Sequence, residues 1–172
     1  MSIDQLAREI KLLVLDVDGV MTDGGIIYGP DAAEYKRFHV QDGHGLKLLM
    51  RTGLEVAIIT GRESAAVTAR ARDLGIQRVY QRALRKEEAY ADLLQQTGCV
   101  DVRVCAVGDD VTDLPLIRRA GLGCAVANAV PELKQAADYV TGRCGGDGAV
   151  REICELLLKA QGTWEQVLAR YY

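Results

Sequence analysis

No basic excess marks this chain: 21 Lys plus Arg stand against 24 Asp plus Glu, a formal charge of −3. Nucleic-acid and membrane-surface binders usually carry a basic cluster, so both partner classes are set aside. Histidine is scarce, with only His39 and His44, and the five cysteines (Cys99, Cys105, Cys124, Cys144 and Cys154) contain no CxxC pair. A zinc site therefore has few candidate ligands, and the cysteines read as buried, reduced, structural thiols. No apolar run reaches the roughly 18 residues of a membrane span. The opening MSIDQLAREIK carries charges where a signal peptide has an apolar core, so the expected setting is the cytoplasm. Repeats, linkers and low-complexity stretches are missing as well. Neither GxxxxGK[ST] nor GxGxxG follows a strand-like run, which removes the common nucleotide-binding motifs.

What is present suits a single α/β domain over residues 1–172. A hydrophobic content of 49% with 5% aromatics implies a core of Ala, Leu and Val rather than disorder. Strand-like runs KLLVLD (11–16), LEVAIIT (54–60), RVYQ (78–81), VRVCAVGD (102–109), LGCAVA (122–127) and DYVT (138–141) alternate with helical patterns. Near-continuous apolar residues in these runs are the habit of parallel strands covered on both faces. Helical stripes recur in GHGLKLLMRTG (Leu46, Leu49, Met50), ESAAVTARARDLG (Val67, Ala71, Leu74) and KEEAYADLLQQTG (Ala89, Leu93), each stopping at a glycine. PELKQAA opens on Pro131 at a first turn. A last helix is expected from about Gly148 to Gln161, within a C-terminal tail of about 143–172 that ends in a short helix. This alternation predicts a doubly wound, mostly parallel, Rossmann-like sheet, whose ligands bind beyond the carboxyl ends of the strands.

One segment departs from the alternation. In residues 20–43, GGIIY and EYKRFHV flank the turn-forming GPD, which predicts a β-hairpin over about 20–41 projecting from the sheet. A period of two places Tyr35, Arg37 and His39 on one face and Lys36, Phe38 and Val40 on the other.

The chemistry gathers at the strand ends. The first strand closes on Asp16 and Asp18 (DVDG), the second delivers the hydroxyl of Thr60 (TGR), and the fourth ends in GDDVTD with Asp109, Asp110 and Asp113. Lys86 opens the helix after the third strand. Topology brings all of them to one crevice. Carboxylates crowded there repel one another unless a divalent cation intervenes, and an oxygen-only set with open positions suits Mg²⁺. Phosphoryl transfer matches these parts: an in-line nucleophile (Asp16), a proton donor and acceptor (Asp18), and Thr60 and Lys86 on the phosphoryl oxygens, with Asp109 on the metal.

In this order, DVDG, TGR, Lys86 and GDDxxD resemble the four motifs of the haloacid-dehalogenase-like phosphatase superfamily, over residues 11 to about 142. The resemblance implies an HAD-type fold, Asp16 as nucleophile forming an aspartyl-phosphate, and Asp18 as general acid/base. It implies Mg²⁺ on the Asp16 side chain, the Asp18 backbone carbonyl and Asp109. Members often insert a cap domain, but Asp16 to Thr60 spans 60 − 16 = 44 positions and Thr60 to Lys86 spans 86 − 60 = 26, too few for one. A second copy of the chain is then the expected lid, with the hairpin as packing element.

FHVQDGHG, TGRES with Arg70, GDDVTDLP and GGDGAVREICELLLKAQG are similar, more narrowly, to the 3-deoxy-D-manno-octulosonate 8-phosphate phosphatase family. That resemblance implies a capless homotetramer acting on an acidic sugar phosphate in the lipopolysaccharide precursor pathway. The implied substrate-binding residues are Asp18, His39, Val40, Gln41, Asp42, Gly43, Lys47, Arg62, Arg70, Lys86 and Asp110. The tail glycines Gly145, Gly146 and Gly148 are implied to close a neighbour's site. Arg82 stands where the family often has Gly, and Asp147 interrupts the tail glycines. A nonulosonate 9-phosphate is the alternative substrate. A non-catalytic oligomerisation module is the alternative role, and the complete set Asp16, Asp18, Thr60, Lys86 and Asp109 speaks against it. A receiver domain is disfavoured because its phosphorylated Asp follows a later strand.

Overall fold

The computed structural model describes all residues, Met1–Tyr172. Six parallel strands form the central sheet: β1 (Leu12–Leu15), β4 (Glu55–Ile59), β5 (Arg78–Tyr80), β6 (Val104–Gly108), β7 (Leu122–Ala125) and β8 (Tyr139–Val140), in the order β5-β4-β1-β6-β7-β8. Every residue of β1 is buried because it lies mid-sheet with helices above and below. The chain winds outward from β1 through β4 to β5, then returns to β6 on the other side of β1. The strand order therefore reverses beside β1, and a crevice opens there.

The helices that connect the parallel strands divide between the two faces. On one side α1 (Ile3–Glu9), α2 (Val40–Met50) and α7 (Ala149–Ala160) pack together, with α3 (Ala65–Leu74) against α2. On the other, α5 (Leu114–Arg119) packs between α4 (Lys86–Thr97) and α6 (Pro131–Ala136). A short α8 (Trp164–Leu168) leans on α7. One cluster of 42 buried apolar residues runs through both layers. The expected helices are all found. Two further helices carry little sequence signal: α1, opened by a capping box between Ser2 and Gln5, and the six-residue α5, opened by Pro115.

The hairpin is smaller than the 20–41 span predicted. Only Ile27–Tyr28 (β2) and Glu34–Tyr35 (β3) pair, around a 3₁₀ turn at Pro30–Ala32. The predicted alternation holds through Phe38: the Lys36 side chain is 1% exposed and Phe38 packs on the core, while Tyr35 and Arg37 face outward. It fails at Val40, which is 81% exposed because α2 begins there and the period changes. The cysteines divide as well. Cys105, Cys124 and Cys154 are buried free thiols, but Cys99 is half-buried and Cys144 exposed, because both sit in connections outside the sheet.

Candidate active site

The catalytic geometry starts from backbone positions at the sheet's carboxyl edge. Asp16 follows β1 directly, and its N–H donates to the Val107 carbonyl of β6 (3.2 Å), fixing it between two strand ends. Two residues on comes the Asp18 side chain, then Gly19 at φ +88°, where a Cβ would stand 1.9 Å from Asp109 Oδ2. Only glycine lets the loop after β1 and the loop after β6 come that close. Thr60 directly follows β4 and is buried. Lys86 opens α4, and its Nζ lies 3.0 Å from Asp16 Oδ1 and 2.6 Å from Asp113 Oδ1. The other oxygen of Asp113 accepts the Asp109 N–H (3.1 Å), so Asp113 orients both the lysine and the metal-candidate loop. Asp16, Asp18, Thr60, Arg62, Lys86, Asp109 and Asp110 all line one cleft of about 340 Å³. Leu84 and Thr112, which the sequence did not single out, join them.

The electrostatics call for a cation. Burial, then the neighbouring charge of Asp113, lifts the Asp16 carboxyl to about 6 despite the lowering influence of Lys86. Burial lifts Asp109 to about 7, with the charges of Asp16, Asp113 and Asp110 adding to it. Burial pulls the Lys86 ammonium down, but Asp16 and Asp113 outweigh it and leave it above the ordinary lysine value. One lysine thus serves three clustered acids: carboxylate oxygens of Asp16, Asp109 and Asp113 lie within 4.8 Å of one another. Oxygen donors converging around uncompensated charge fit a magnesium ion. Asp113 already receives Lys86 and a backbone N–H, which leaves Asp16 and Asp109 as the freer donors. The Asp18 carboxylate stands outside this cluster.

Around Asp18 lies a second set of charges, in which Lys36 and Glu34, absent from the sequence-based site, join Arg62, which was part of it. Buried Lys36 donates to Asp18 Oδ1 and lies 3.0 Å from Glu34 Oε1. Arg62 donates through its NH2 to Glu34 Oε2, and its Nε is 3.7 Å from Asp18 Oδ2. The hydrogen bond from Arg62 leads the effects that hold Glu34 down at about 2. Two cations and two carboxylates thereby tie the second arm of the hairpin to the cleft. The alternation of EYKRFHV gave Lys36 a face but not the destination of its side chain.

A family model for haloacid dehalogenase-like hydrolases matches residues 74–153. The 3-deoxy-D-manno-octulosonate 8-phosphate phosphatase KdsC of Escherichia coli K12 is 47% identical over 160 residues, 93% of this chain and 85% of the relative. The chain belongs to this phosphatase family. A crystal structure of the Moraxella catarrhalis phosphatase, in complex with magnesium, phosphate and KDO, superposes with a TM-score of 0.96 at 44% identity, covering 99% of this chain and 98% of that one. The cobalt-bound phosphatase of Haemophilus influenzae gives 0.89 at 41% identity, covering 92% of both chains.

Several residues implied by family resemblance lie outside the cleft of their own chain. His39, Val40, Gln41, Asp42, Gly43, Lys47 and Arg70 are not among its lining. The helix α2 carries them away, since it starts as soon as the hairpin arm ends. Asp42 is 4% exposed and accepts the Arg151 N–H (2.8 Å), capping α7. Gly43 is buried beside Arg70, whose guanidinium donates to the His39 carbonyl (3.3 Å) and lies 5.6 Å over the Phe38 ring. Asp42, Gly43 and Arg70 therefore pack α2 against α7 and α3, whereas Val40, Gln41 and Lys47 remain exposed. Within their own chain the tail glycines have a local packing role. Gly145 and Gly146 pack on this chain's own loop after Asp18, with the Gly146 N–H donating to Val20 O (3.0 Å). Arg82 adopts φ +57°, the left-handed conformation that glycine favours, and pairs with Glu63 at the surface.

Proposed function

We propose that this chain hydrolyses 3-deoxy-D-manno-octulosonate 8-phosphate to the free sugar acid and phosphate, as a cytoplasmic homotetramer dependent on Mg²⁺. One observation carries the reaction: Asp16 stands at the floor of the cleft with Lys86 3.0 Å away and Asp109 beside it, while Asp18 faces the same space. Kinship to phosphatases whose names give that substrate carries its identity.

An Asp16 carboxylate oxygen attacks phosphorus in line with the sugar C–O–P bridge. The bridging P–O bond breaks, a P–O bond to Asp16 forms, and Asp18 gives its proton to the departing alkoxide. Water then attacks the aspartyl-phosphate, loses its proton to Asp18, and displaces the Asp16 oxygen as phosphate leaves. Thr60 and Lys86 hold the phosphoryl oxygens throughout. Bound magnesium, on the Asp16 and Asp109 carboxylates and the Asp18 carbonyl, supplies neutralisation of the gathering negative charge. Arg62 at the cleft mouth, held by Glu34 through its NH2, keeps a remaining guanidinium N–H edge for the substrate carboxylate.

The open cleft leaves a sugar half in water, and the exposed apolar hairpin (Ile27 52%, Tyr28 66%, Tyr35 54%) supports closure by neighbouring copies. In that assembly, the exposure of Val40, Gln41 and Lys47 supports assigning them to a neighbour's substrate. Phosphate release from a panel of acidic sugar phosphates, with and without Mg²⁺, tests the proposal. The octulosonate phosphate should give the highest kcat/KM, and EDTA should abolish it. Preference for a nonulosonate 9-phosphate would reassign the substrate, and release of phosphate from none would refute the reaction.

A further inference from the structure

We propose that Lys36 is a positioning residue for the reaction, holding Asp18 so that one carboxylate oxygen is fixed and the other faces the leaving group. The Lys36 side chain is 1% exposed, although it leaves the chain beside the exposed hairpin strands. Burying an ammonium is unfavourable unless it is fully paired. Its partners are Asp18 Oδ1 and Glu34 Oε1, so the burial is directed at the catalytic loop. A surface salt bridge would hold a hairpin equally well without this desolvation. Asp18 Oδ2 keeps only Arg62 Nε at 3.7 Å, beyond hydrogen-bond length, and the side chain retains 20% exposure. That oxygen is the one free to meet a leaving alkoxide. An aspartate otherwise turns broadly about its last torsion, and proton transfer tolerates little misplacement. Glu34 completes the frame, because its second oxygen holds Arg62.

This inference rests on the reading of Asp18 as the acid, and the test separates the two. The readout is kcat/KM, which covers the steps through departure of the leaving group. It is measured on a sugar phosphate, whose alkoxide needs a proton, and on p-nitrophenyl phosphate, whose phenolate leaves without one. Asp18→Asn should lower only the first; if it does not, the acid reading fails. Lys36→Met, which keeps most of the buried stem, should lower the sugar-phosphate value by about 10²-fold and the aryl value by less than about three-fold. In the Asp18→Asn background it should add no further loss on the sugar phosphate. Equal loss on both substrates, loss on neither, or a full additional loss in the double variant would overturn the positioning role. If Lys36→Met does not fold, Lys36→Gln is judged by the same two values. Failure of both to fold would assign the lysine to the fold alone.

Discussion

Asp16 sits where the sheet concentrates charge, and its replacement separates chemistry from folding. Asp16→Asn removes the attacking oxygen's charge but preserves shape. Turnover should fall by at least about 10³-fold, while thermal unfolding followed by circular dichroism shows no loss of stability. Relief of repulsion with Asp109 and Asp113 argues for a slight gain. At this scale the sequence was informative wherever a residue ends a strand: Asp16, Asp18, Thr60, Asp109 and Asp110 all reach the cleft, as does Lys86 at a helix start. It was uninformative for Lys36 and Glu34, whose long side chains cross from an arm to a loop 18 residues earlier in the Lys36 case. Asp113 was recognised as part of the acid cluster, but its capture of Lys86 needed coordinates.

Among the elements, the segment from Thr141 to Gly148 illustrates how a loop far along the chain supports the first catalytic turn. A Cβ on Gly145 would stand 1.7 Å from the Gly19 carbonyl oxygen, and backbone on both sides leaves nothing flexible to yield. Gly145→Ala should therefore destabilise the fold by about 1–3 kcal/mol, seen as a lowered urea midpoint. It should also depress kcat, because the displaced loop carries Asp18. Normal stability and activity would show that the two loops part easily. Similarly, the family resemblance implied substrate contacts from His39 to Gly43, with the hairpin arm expected to run to about residue 41. A helix starting at Val40 divides it, turning Asp42 inward as a cap for α7 and leaving Val40 and Gln41 outside. Periodicity locates a helix well but its first residue poorly, since the cap depends on a partner distant in sequence.

For the molecule as a whole, metal and pH should act together. Burial and mutual repulsion raise folded Asp16 and Asp109 from the ordinary aspartate value of 3.8 to about 6 and about 7. Their pKa values are raised, so their contribution to stability is full below about pH 4 and is lost as pH rises through about 6 and 7. Magnesium replaces the missing protons. It should raise Tm by about 3 °C or more at pH 7.5 and by little at pH 5, measured on EDTA-treated protein. An equal rise at both pH values would contradict metal binding at these carboxylates. The hairpin offers the second whole-molecule test: Ile27→Asp with Tyr28→Asp should give monomers in sedimentation velocity and weaken turnover of the sugar phosphate. Monomers of full activity would remove the neighbour from the site. Although α1 and α5 escaped it, the amino-acid order alone laid out the six strands, the longer helices, the parallel sheet and the acids at its edge. These follow from local apolar periodicity, and parallel topology places every strand's carboxyl end on one side. The folded chain was needed to reveal that Lys36 meets Asp18, that Asp42 caps a helix, and that Gly145 backs the catalytic loop. Those contacts join segments far apart in sequence, where side-chain reach and close backbone approach leave no periodic trace.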